Sequence, residues 1–95
     1  MPIDEEILKQ ARENPADVWF SDILKLAEQM GWTFAGGKGS HRVYKHPNAN
    51  LVRDKFPIPL NFQEGKHGKA KAYQVEQLLA MATELGIIKE PATKE

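Results

Sequence analysis

The segment GGKGSHRVYKHP, residues 36–47, sets a histidine directly after a glycine-rich turn and surrounds it with cations. Lys38 precedes His41, and Arg42 and Lys45 follow it. An imidazole changes protonation state near neutral pH and so can take or give a proton there. Adjacent cations favour its neutral form, the form a general base needs. The same cations stabilise a phosphate that is gaining negative charge. These residue types suit cleavage of RNA by its own 2′-hydroxyl. His41 would take the hydroxyl proton, and Lys or Arg would stabilise the crowded phosphorane. One general base contributes about 10²–10⁴ in rate, enough for a slow nuclease. The plainer reading of His41 is a strand-entry histidine bonded to a neighbouring carbonyl.

A second glycine-containing stretch, NFQEGKHGKAK at residues 61–71, adds Lys66, Lys69 and Lys71. Glycine lets a backbone approach a phosphate closely, and lysine supplies the charge. Neither loop is a nucleotide-triphosphate loop, because GGKGS lacks the Gly-Lys-Ser/Thr ending and joins strand to strand. The three histidines are His41, His46 and His67. His41 and His46 are five apart on one strand and point to opposite faces, which is poor chelate spacing, and no cysteine completes a set. No metal and no cofactor is expected. Tyr44 reads as packing, with base stacking as the lesser alternative, and Trp32 and Phe34 read as core.

The cations are not spread evenly. The formal net charge is zero, yet residues 38–71 hold eight basic and two acidic side chains, a net of +6, and the rest of the chain nets −6. Such asymmetry marks either a polyanion-binding face or a solvated surface. The 95 residues suit one domain. No apolar run approaches the roughly 20 residues that span a bilayer, and the opening MPIDEEILKQ carries no signal-peptide core. The chain has no cysteine, which is compatible with a reducing cytoplasm, so a cytoplasmic location and no membrane partner are expected.

Six elements would position these residues. DEEILKQAREN reads as a short helix capped by Asp4, with Ile7, Leu8 and Ala11 as its apolar stripe, stopped at Asn14-Pro15. SDILKLAEQMG reads as a second helix, N-capped by Ser21 and ended by Gly31, with Ile23, Leu24, Ala27 and Met30 at helical spacing. WTFAGG and HRVYKH read as two strands, and Pro47-Asn48-Ala49-Asn50 as the turn that follows. LVRDKFPIP, residues 51–59, reads as a third strand with Val52, Phe56 and Ile58 on one side, although Asp54 falls on that side too. Pro57 and Pro59 place its end or a sheet edge there. After the basic loop, AYQVEQLLAMATELG is a helix with Val75, Leu78, Leu79, Ala82 and Leu85 on one face and Gly86 as its stop. The expected architecture is α+β: three antiparallel strands in the order α-α-β-β-β-α, with the helices on one sheet face and the other face open.

GSHRVYKHP, followed by a third strand and GKAKAYQVEQLL, resembles the HicA (YcfA-like) family of toxin–antitoxin proteins. The likeness runs from VWFSDILKLAEQMGW to Gly86, so that residues 18–86 form the family core, 1–14 an extra N-terminal helix and 87–95 a flexible tail of a single domain spanning 1–95. The resemblance implies a fold similar to double-stranded RNA-binding domains. It implies an mRNA-cleaving endoribonuclease that uses no metal, with His41 as the catalytic residue. It also implies a HicB-type antitoxin as partner. The expected RNA contacts are Lys38, Gly39, Ser40, Arg42, Lys45, Lys66, Lys69 and Lys71. Compact family members often carry a histidine after the proline of the third strand, whereas here Leu60 follows Pro59. Two alternatives stand beside the nuclease: a non-catalytic RNA-binding module of the same fold, and an interaction domain whose basic face docks an acidic protein.

Overall fold

The computed structural model describes residues 3–39, 41–56 and 58–89. The chain runs α1 (Glu5–Glu13), α2 (Phe20–Gln29), β1 (Thr33–Gly36), β2 (His41–Lys45), β3 (Leu60–Gln63) and α3 (Ala72–Glu84), with 3-10 turns at Ala49–Val52 and Lys66–Gly68. The three strands form one antiparallel sheet in the order β1-β2-β3. This is the expected α+β order, α-α-β-β-β-α.

Asp4 caps α1 as its residue type suggests. Its carboxylate accepts from the Glu6 and Ile7 amides at 3.0 and 3.2 Å, satisfying two of the donors that every helix start leaves open. The Asp4 amide in turn donates to Gln29 Oε1 at 2.7 Å, tying α1 to the end of α2. The α2 start differs from expectation. Trp19, not Ser21, is the capping residue, and it offers no side-chain bond. The Trp19 carbonyl accepts from the Asp22 and Ile23 amides, both at 3.0 Å, while its extended backbone bridges to Lys69. The helix thus starts two residues before the expected point, and Phe20, its first residue, is buried in the core. Gly31 and Gly86 follow α2 and α3 with positive φ, as expected of helix stops.

The third strand lies further along than the sequence pattern indicates. None of the described residues between 51 and 59 lies in a strand; β3 is Leu60–Gln63, and its residues 61–63 belong to the segment read as loop. The amides of Leu51, Arg53, Lys55 and Phe56 donate to carbonyls three or four residues back, so this backbone closes on itself in tight turns and those donors are not free for a ladder. Val52, Phe56 and Ile58 do reach the core, but from these turns. Asp54 is exposed there, which removes the flaw in the strand reading. In LNFQ the alternation is clean: Leu60 and Phe62 are buried, while Asn61 is exposed and Gln63 is half-buried.

One face of the sheet carries the core. Tyr44, Leu60 and Phe62 pack with Leu8 and Ala11 of α1, Ile23, Leu26 and Ala27 of α2, and Val75, Leu78, Met81 and Ala82 of α3. Each fully buried Leu, Ile or Phe of this set contributes about 1.5–3 kcal/mol relative to exposure. All three helices therefore sit on that face, and among the described residues no element covers the opposite one. Past α3, Ile88 is buried and the Lys89 carbonyl accepts from the Arg12 guanidinium; the remainder of the expected tail, from residue 90, lies outside the described residues.

Candidate nucleic-acid interface

His41 is the first residue of β2, and it points to the uncovered face. The register decides this. Tyr44, buried, and Arg42 project to the helix side, so His41, Val43 and Lys45 alternate to the other. His41 and Lys45 are exposed. Across the ladder His41 faces Gln63, and Val43 faces Asn61.

The glycine loop presents His41 by three bonds. The His41 amide donates to the Lys38 carbonyl at 2.9 Å, closing the turn. The Arg42 guanidinium folds back and donates to the Gly39 carbonyl and, at 3.0 Å, to the His41 carbonyl. Arg42 thus braces the loop from the side, with its charge beside the strand entrance. Lys38 is exposed in the loop itself. Ser40, an expected contact, lies outside the described residues.

Of the second basic group, Lys71 reaches the open face and Lys69 does not. The Lys71 ammonium donates to Gln63 Oε1 at 3.0 Å, so the side chain opposite His41 carries a cation on its far side. Lys69 pairs with Asp17 at 2.5 Å and lies 3.8 Å from the centroid of the Trp19 ring, at the α1–α2 connection. Lys66 is exposed on the 3-10 turn. Among the described residues the ion pairs are Lys25–Asp4, Lys55–Glu84 and Lys69–Asp17. Lys69 is therefore the one expected RNA contact whose charge is neutralised by an acid within the described residues.

The other expected residues resolve into structure. His46 accepts from the Asn48 amide at Nδ1, 3.1 Å, so Nε2 carries the proton and donates to the Met30 carbonyl at 3.2 Å. Its ring meets buried Trp32 edge-on at 5.1 Å. Tyr44 is core: its hydroxyl donates to Glu28 at 3.0 Å, and burial together with that carboxylate pushes its phenol up to about 12. Phe34, expected in the core, is 51% exposed. It sits on edge strand β1, next to a bulge, with one ring edge against Tyr44 at 5.7 Å and the remainder in solvent. Among the described residues no group of three or more His, Asp or Glu side chains could hold a metal ion.

Sequence reasoning missed the residues that build the far side of the site: Asn61, Gln63, Tyr73 and Gln74. Gln74 is buried, at 6% exposure. Its Oε1 accepts from the Gln63 amide at 2.8 Å and its Nε2 donates to the Asn61 carbonyl at 2.5 Å. The carboxamide so replaces a fourth strand along the free edge of β3. A signal was available, since Gln74 lies four residues before Leu78, on the apolar stripe of α3, where an uncharged polar side chain needs a partner.

No curated protein and no solved structure matches the chain significantly. A family model does match, over just under half the chain, and it takes in α2, β1, the glycine loop, β2 and the start of β3. No helix among the described residues is long and apolar enough to cross a membrane. The segment that builds and presents His41, residues 20–61, matches the HicA toxin of bacterial toxin–antitoxin systems.

Proposed function

We propose that the protein is an endoribonuclease toxin that cleaves mRNA without a metal ion, with His41 as its general acid/base. The single observation that supports this reading most is the placement of His41: exposed, on the uncovered sheet face, at the mouth of a glycine loop held by Arg42. In this mechanism His41 takes the proton of a ribose 2′-hydroxyl. The 2′-oxygen attacks the adjacent phosphorus, the bond to the 5′-oxygen breaks, and that oxygen leaves with the proton that His41 has taken. The products are a 2′,3′-cyclic phosphate and a 5′-hydroxyl. Arg42, Lys38 and Lys71 supply the positive field in which the phosphorane forms. The basic face would be covered by an acidic antitoxin of the HicB type.

The test is cleavage of an RNA beside the same sequence with a 2′-deoxy residue at the cut site, both in the presence of a chelator. Cleavage of the first alone is expected. Equal cleavage of both, or loss of activity in chelator, defeats the mechanism. A second reading, an RNA-binding module that does not cut, draws on the partner of His41. Gln63 is neither acid nor base, and Leu60, at the place where compact relatives often carry a histidine, is buried. That reading requires salt-sensitive binding with intact RNA at the end.

A further inference from the structure

The cleavage chemistry leaves one exposed aromatic side chain beside the free edge of β3 without a role. Tyr73, in the first turn of α3, is 59% exposed. Its hydroxyl accepts from Gln74 Nε2 at 3.3 Å. Gln74 is itself fixed by its two bonds to β3, so a buried carboxamide holds the polar end of a ring whose body stands in water. Two residues earlier Lys71 donates to Gln63, the cross-strand partner of His41, and no carboxylate among the described residues pairs with it. A tethered ring beside an uncompensated ammonium is the pairing that unpaired nucleotides bind: bases stack on the ring and the backbone follows the charge. Trp19, also exposed, lacks this freedom because Lys69 covers its ring.

We propose that Lys71 and Tyr73 form a subsite for single-stranded RNA beside His41, Lys71 neutralising a backbone phosphate and Tyr73 stacking a base. The inference rests on the open sheet face being an RNA site, and it does not depend on cleavage.

The test uses the full chain with His41→Ala, so that RNA survives the measurement, and follows a short labelled single-stranded RNA by anisotropy across a salt series. Lys71→Gln should make the slope of log K against log salt shallower by about 0.7, one single-strand phosphate contact, and Lys71→Arg should restore it. Tyr73→Ser should weaken binding about 5- to 100-fold at every salt concentration with the slope unchanged, and Tyr73→Phe should keep most of the affinity. Thermal melts of the four variants should lie close to the parent, since Tyr73 is exposed and Lys71 is half-buried outside the core. An unchanged slope in Lys71→Gln, unchanged affinity in Tyr73→Ser, or a parent that binds no RNA overturns the subsite. Cleavage by the wild type is scored separately. Cleavage with unaltered binding in the variants would sink the subsite and keep the nuclease. Altered binding without any cleavage would do the reverse.

Discussion

Gly37 lies so close beneath the carbonyl of His41 that a Cβ on Gly37 would collide with that oxygen and stand 3.0 Å from the carbonyl carbon. Its φ is +140°, a conformation that side-chain-bearing residues rarely adopt. The glycine therefore does two things: it permits the backbone angle, and it leaves room for the strand that carries His41.

These two roles can be separated with Gly36, which has nearly the same φ, +143°, but nothing within 4 Å of its Cβ direction. Gly36→Ala and Gly37→Ala should each cost about 1–3 kcal/mol of backbone strain. Only Gly37→Ala should also displace the head of β2. RNA cleavage is expected to survive in the first variant and fall at least tenfold in the second, read by single-turnover assay beside urea midpoints. Equal activity in the two would mean that loop shape does not set the position of His41.

The two histidines of the opening motif should behave oppositely. His41 is exposed, so His41→Ala should leave stability within about 0.5 kcal/mol and remove about 10²–10⁴ of the cleavage rate. His46 makes two hydrogen bonds and packs on Trp32. His46→Ala should cost about 1–3 kcal/mol, because it strands the Met30 carbonyl and the Asn48 amide, while cleavage at a temperature well below the melt should stay near wild type. Denaturant unfolding and a growth-arrest assay on the same pair of variants check both halves.

Much of this was legible in the chain, and the gaps have physical causes. The helices were readable because Ile23, Ala27, Val75, Leu78 and Ala82 recur at helical spacing and are all buried. The loop before His41 was readable because GGKGS admits few alternatives. The third strand was misplaced because Val52, Phe56 and Ile58 satisfy a period of two while reaching the core from turns. The true strand, LNFQ, is only four residues long and two of them are polar. Apart from the polar Gln74 on the apolar stripe of α3, the far side of the site was hidden for a related reason. Gln63 stands opposite His41 only once the β2–β3 register is known, and Gln74 closes an edge that exists only in the folded sheet.

That edge is open to test. Gln74→Leu keeps the volume but strands the Gln63 amide and the Asn61 carbonyl, which should cost about 1–3 kcal/mol. Gln74→Glu can still accept from the Gln63 amide, but its carboxylate has no proton to give to the Asn61 carbonyl, so it should be no better than Leu near neutral pH. In Gln74→Leu, which has no acceptor for it, the Gln63 amide should exchange its hydrogen faster than the amides of β2, whereas in Gln74→Glu it should stay protected. If Gln63 keeps its protection in Gln74→Leu, another group holds the edge.

Tyr44 gives the fold a signature at alkaline pH. Burial, then the hydrogen bond and charge of Glu28, raise its phenol from 10.0 to about 12. Between those values the folded chain keeps a proton that the unfolded chain has released. Stability should therefore fall as pH rises, since the slope follows the protons bound by the unfolded state minus those bound by the folded one. The contribution is whole below pH 10.0 and lost as pH passes about 12. Tyr44→Phe loses the bond to Glu28, about 1 kcal/mol at pH 8, but has no phenol to titrate. The gap between wild type and Tyr44→Phe in urea midpoint should therefore shrink, or change sign, between pH 9 and about 11.5. Lysine titration affects both proteins alike and cancels in the comparison. A gap that stays constant across that range would show that the Tyr44 hydroxyl is open to solvent and not held by Glu28.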